Sequence, residues 1–112
     1  MTNCDDLLLF PLYKITAHDR LHTMRETKIK IINKLGLHAR ASAKFVSTTS
    51  RFQSHIEVKK DSQTVNGKSI MGVMMLAANK GCELTLCIEG PDETEMEQAI
   101  VELVNNRFGE PE

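Results

Sequence analysis

From Thr27 onward, apolar and polar positions follow regular periods. "TKIKII" sets Ile29 and Ile31 on one side of an extended segment and Lys28 and Lys30 on the other, which predicts a strand with one wet face. "NKLGL" reads as a turn. "HARASAKFVSTTSRF" predicts a helix, alanine-rich at its start and apolar at Phe45 and Val46. "HIEVK" alternates again, with Ile56 and Val58 inward; "KDSQ" is a turn and "TVN" a short strand. "GKSIMGVMMLAANKG" predicts a second helix closed by Gly81. "ELTLCIEG" predicts a strand with Leu84, Leu86 and Ile88 on one face. "PDETEMEQAIVELVNNRFG" predicts a third helix ended by Gly109. Asp92 and Glu95 resemble a capping box at its start, and Met96, Ala99, Ile100, Leu103 and Val104 form its apolar stripe. The order is β-α-β-β-α-β-α. Each strand has one face to bury and each helix must cover it. The predicted fold is therefore α+β: a two-layer, open-faced sandwich with three helices on one side of a four-stranded, mostly antiparallel sheet. The wet sheet face carries Lys28, Lys30, His55, Glu57 and Lys59.

Residues 1–23 have no such period. They hold "DDLLLFPLY" and a polar stretch with His18 and His22, and read as a poorly ordered extension before a patterned region at 24–112. Two other readings of the extension stand beside this one: a start-site artefact with Met24 as the true first residue, and a short docking segment using Leu7 to Tyr13. The chain has 112 residues, room for one modest core. With 14 basic and 15 acidic residues, it lacks a bulk electrostatic grip on nucleic acid, and 4% aromatic content without Trp excludes base-stacking platforms. Cys4, Cys82 and Cys87 fit neither a disulfide framework nor a zinc site. On a strand, Cys82 and Cys87 point to opposite faces, and the thiols are read as reduced. No apolar stretch nears the roughly 20 residues that span a bilayer. The acidic start does not fit a signal peptide, so the expected location is cytoplasmic.

Gly36 to Arg40 read "GLHAR". A helix opening there puts His38 near its N-cap and Ala39, Arg40 and Ala41 in its first turn. Their backbone N–H groups lack helical partners, and the macrodipole adds partial positive charge. Phosphate suits such an end, and Arg40 adds a fork shaped for its oxygens. The same environment disfavours imidazolium, which favours a neutral His38 able to attack phosphorus. Gly36 lets the chain turn and approach closely before the helix. On "GLHAR" alone, a histidine that merely caps the helix or meets solvent is the commoner reading. His38 has no second His, Cys or carboxylate at ligand spacing, so neither a metal nor another cofactor is expected.

Ser69 to Asn79 on a helical wheel, at about 100° per residue, give two apolar clusters. Val73, Leu76 and Ala77 form one. Ile70, Met71 and Met74 form another, extended by Met75. One core-facing stripe needs far less, so part of this arc must face solvent or a partner, and methionine suits an adaptable contact surface. Ser69 reads as this helix's N-cap. Phosphorylation there would set negative charge beside the apolar cluster.

Together, "GLHARASAKFV", "VNGKSIMGVMMLAANKG" and "ELTLCIEGPDE" resemble the histidine-containing phosphocarrier (HPr) family of the bacterial phosphoenolpyruvate-dependent phosphotransferase system, over roughly Met24 to Gly109. The resemblance implies a relay: His38 is phosphorylated on Nδ1 by phospho-enzyme I and passes the group to an enzyme IIA domain. It makes Arg40 the arginine beside the phosphohistidine, Ser69 the target of an HPr kinase/phosphorylase, and Ile70, Met71 and Met74 the partner-docking patch. The expected partners are these proteins, with no nucleic acid and no membrane, and a monomer suffices. Where the family usually has Pro after "HAR", this chain has Ala41, which leaves an N–H donor in the first turn and preserves the helix. A second functional reading is a regulatory binding module, whose phosphorylation state signals to a kinase or transcription regulator without sugar transport.

Overall fold

The computed structural model describes residues 25–112; the readings of residues 1–23 lie outside them. β1 (Arg25–Lys30), β2 (His55–Lys60), β3 (Gln63–Asn66) and β4 (Glu83–Glu89) form one sheet in the order β1-β4-β2-β3. Every neighbouring pair is antiparallel. α1 (Ala39–Thr49), α2 (Ile70–Met75) and α3 (Glu93–Asn105) cover one face. This is the predicted α+β sandwich.

The alternation explains the layering. Ile29, Ile56, Val58, Leu84, Leu86 and Ile88 point to the helices, with Ile31 just beyond β1. They meet Ala41, Phe45 and Val46 of α1, Val73 of α2 and Met96, Ile100 and Val104 of α3. Complete burial of such a side chain is worth roughly 1.5–3 kcal/mol, so this face drives folding. Of the stripe on α3, Ala99 and Leu103 sit half-buried at its edge. On the opposite sheet face Lys28, Lys30, His55 and Lys59 are exposed and Glu57 half-exposed. Cys82 packs at the edge of the core, whereas Cys87 is buried on the other face, its Sγ 3.9 Å from Glu26 Oε2. The two sulfurs do lie on opposite sides. Among the described residues, no helix is long and apolar enough to cross a membrane.

The ends of α2 and α3 differ most from the sequence expectation. α2 is only six residues long and Gly81 does not close it. Ala77 takes a left-handed φ of 52°, and Lys60 Nζ donates to Leu76 O at 2.9 Å. The chain then places Ala78 in the core, so Ala78, rather than the exposed Ala77, joins Val73 and Leu76 there. Gly81 lies in the turn before β4, and its N–H donates to Ile31 O. The Asp92 side chain makes no cap to α3. It accepts instead from Gln53 N, Ser54 N and Ser54 Oγ, tying the α1–β2 connection to the start of α3. α3 itself stops at Asn105, and Gly109 ends a separate turn, Arg107–Gly109. There Arg107 and Phe108 have φ near +55°, and Phe108 drops its ring into the core.

Candidate functional site

The site is built where the β1–α1 connection meets the chain's C-terminal turn. Ile31 and Leu37 are buried, so the segment between them is anchored at both ends. Leu37 N donates to Ala78 O at 2.8 Å, and Gly36 N to Asn33 O at 3.2 Å. Gly36 has φ +68°, and a Cβ there would stand 2.4 Å from Ala78 O. Conformation and space both require glycine, as the sequence indicated.

This loop delivers His38 to the N-cap of α1 with extended backbone and no side-chain cap bond. The first helical bond runs from Ser42 N to His38 O at 2.8 Å, and Ser42 Oγ donates to Leu37 O. The N–H groups of Ala39, Arg40 and Ala41 therefore have no hydrogen-bond acceptor among the described residues. Ala39 and Arg40 are exposed, while the methyl of Ala41 is fully buried beneath the turn. Alanine at position 41 does not disturb the helix. Arg40 makes no ion pair among the described residues. His38 is 28% exposed, open enough for a partner and confined enough to be oriented.

One neighbour of His38 was not legible in the sequence. Glu110, 72 positions away, sets its carboxylate Oε2 against His38 Nε2. Its Oε1 accepts from Asn33 Nδ2 at 3.0 Å, and the same amide donates to Gly36 O at 2.8 Å. The Asn33 amide, chiefly, and the His38 ring hold the Glu110 carboxyl below the usual glutamate range, against the opposing effect of burial. The neutral imidazole expected from the helix end alone thus faces an anion on its other side. No local signal announces Glu110, because the left-handed turn at Arg107 and Phe108 aims it.

Ser69 is the N-cap of α2, and its Oγ accepts from Gly72 N at 3.1 Å, as expected from sequence. The wide apolar arc is also real. Val73 and Leu76 are fully buried, whereas Ile70 is 43% exposed, Met71 69%, Met74 38% and Met75 67%. Leu35, in the loop before His38, adds a further apolar side chain that is 66% exposed and that periodicity did not single out.

Comparison with known proteins bears on this arrangement. A family model described as the PTS HPr component phosphorylation site matches residues 25–106. The chain is 55% identical over 89 residues to the phosphocarrier protein HPr of Neisseria meningitidis, which covers 80% of this chain and all of that one. It is 54% identical over 90 residues to the HPr of Pseudomonas aeruginosa, with 80% and 100% coverage. A crystal structure of HPr from Thermoanaerobacter tengcongensis matches with TM-score 0.76 and 49% identity, covering 79% of this chain and 99% of that one.

Proposed function

The chain belongs to the HPr family, and from that premise we propose that it is a phosphocarrier of the phosphoenolpyruvate-dependent phosphotransferase system with His38 as its acceptor. The observation that carries this reading is the placing of one half-open imidazole at the start of α1, beside three N–H groups and a guanidinium that have no partner among the described residues. Attack by a ring nitrogen on a phosphoryl group brings three anionic oxygens to that end of the helix. The N–H groups of Ala39, Arg40 and Ala41 and the fork of Arg40 are donors for those oxygens. Because the N–H donors are backbone groups already in place, only the exposed Arg40 side chain must be ordered on transfer. Enzyme I is the donor in this reading and an enzyme IIA domain the acceptor.

Ile70, Met71 and Met74 are the docking patch, with Met75 and Leu35 extending it. Four of these five side chains belong to α2 and immediately follow Ser69. A phosphoryl group on Ser69 would displace the present Gly72 N–H contact and set negative charge at the edge of the patch. We assign Ser69 to regulation by an HPr kinase/phosphorylase on that ground.

The test is labelling from phosphoenolpyruvate with enzyme I, using acid lability to identify phosphohistidine. His38→Ala removes the label and leaves the circular dichroism spectrum unchanged, since the ring is not part of the core. Normal labelling of that variant rejects the assignment.

A further inference from the structure

The segment that follows α3, residues 106–112, is held to the body of the domain by several contacts. Phe108 is only 1% exposed, and Lys44 Nζ donates to its carbonyl at 2.7 Å. Lys34 N donates to Glu112 O at 3.1 Å, and Lys34 Nζ pairs with Glu112 Oε1 at 3.4 Å. Asn33, itself fully buried, holds Glu110 Oε1. These contacts converge on one result: the second oxygen of Glu110 lies against Nε2 of His38.

We propose that Glu110 is a positioning residue for phosphoryl transfer: its carboxylate keeps the proton of neutral His38 on Nε2, so that Nδ1 carries the lone pair that attacks phosphorus. The inference rests on the reading of His38 as the acceptor on Nδ1 and adds what holds the ring in the reactive tautomer.

The chemistry follows from donor and acceptor inventories. A carboxylate can only accept, so the nitrogen it touches must carry the hydrogen. In a neutral imidazole the other nitrogen is then unprotonated. When Nδ1 attacks, the Nδ1–P bond forms and the bond from phosphorus to the donor's leaving atom breaks, its electron pair returning to that atom. The proton stays on Nε2, and the ring, now substituted on both nitrogens, becomes cationic. Glu110 is the anion beside that charge. The carboxylate thus selects the reactive tautomer before transfer and stabilises the imidazolium after it, as a buried aspartate does for a catalytic histidine in serine proteases.

The full chain, labelled with nitrogen-15, tests this. Imidazole nitrogen shifts, read above the ring's titration, identify the tautomer, and stopped-flow transfer from phospho-enzyme I gives the rate. Wild type is expected to hold the proton on Nε2. Glu110→Ala should shift His38 toward a tautomer mixture and slow transfer about tenfold at saturating donor, with little change in the donor concentration that half-saturates it. Glu110→Gln, whose amide oxygen can still accept from Nε2, should keep the tautomer and recover part of the rate. A proton mainly on Nδ1 in wild type, or an unchanged tautomer or rate in Glu110→Ala, overturns the proposal. Wild type that takes no phosphoryl group on His38 would instead reject the phosphocarrier reading, and the nitrogen shifts would still decide whether Glu110 sets the tautomer.

Discussion

Two carboxylates show how single side chains join distant parts of this molecule. Asp92 accepts from Ser54 Oγ at 2.5 Å and from the N–H groups of Gln53 and Ser54 at 2.9 Å each. The Ser54 hydroxyl, above all, holds its carboxyl below the usual aspartate range. A folded-state value below the unfolded one means that the unfolded chain takes up the proton first as pH falls. The contribution of Asp92 is therefore complete above the ordinary aspartate range, near pH 4, and is lost as pH falls through the lower folded value. Asp92→Asn should cost about 1 kcal/mol at pH 6, from weaker hydrogen bonds to the same donors. Urea unfolding at pH 6 and pH 3 checks the sign: the gap between wild type and variant narrows at pH 3. Glu110 adds a contribution of the same sign, since its carboxyl is also held low.

At the scale of elements, the end of α2 is the informative case. "LAANKG" contains good helix formers, and propensity alone carries the helix through to Gly81. The structure stops at Met75 because three long-range demands meet there. Leu76 must enter the core, Ala78 O must receive Leu37 N, and Lys60 Nζ covers the carbonyl of Leu76. Satisfying them puts Ala77 at φ 52°, a conformation that costs an L residue roughly 1–2 kcal/mol. Ala77→Gly should therefore raise stability by about 0.5–1 kcal/mol, after allowing for glycine's greater unfolded-state entropy. Ala77→Val should lower it, because a β-branched side chain fits that region worse still. Urea midpoints decide; a glycine variant that is no more stable means that the left-handed residue is not what limits this connection.

Across the whole molecule, the two layers leave His38 and the exposed methionines on segments joined by Leu37 N to Ala78 O. A transient partner can engage both while the core stays closed. Met71 is 69% exposed, so Met71→Glu should change stability by no more than about 0.5 kcal/mol. It should nonetheless slow transfer from phospho-enzyme I several-fold at limiting donor concentration, with recovery as the donor is raised, because it weakens docking rather than chemistry. Thermal melts and transfer rates over a range of donor concentrations separate the two. Equal slowing at saturating donor would remove Met71 from the docking surface.

The order of elements, the sandwich, the buried faces of β1, β2 and β4, the Ser69 cap and the surplus apolar surface of α2 were all determined locally. Each depends on a period of two or 3.6 residues, or on a turn or cap within a few positions, and such information is written along the chain. The placing of His38 at a helix start was legible for the same reason. Tertiary structure alone decided the early end of α2, the diversion of Asp92 to Ser54 and the contact between Glu110 and His38. Those outcomes depend on groups 16, 38 and 72 positions apart satisfying one another's hydrogen bonds. No local period encodes such a pairing; it comes into being only when the packed core brings the two ends together.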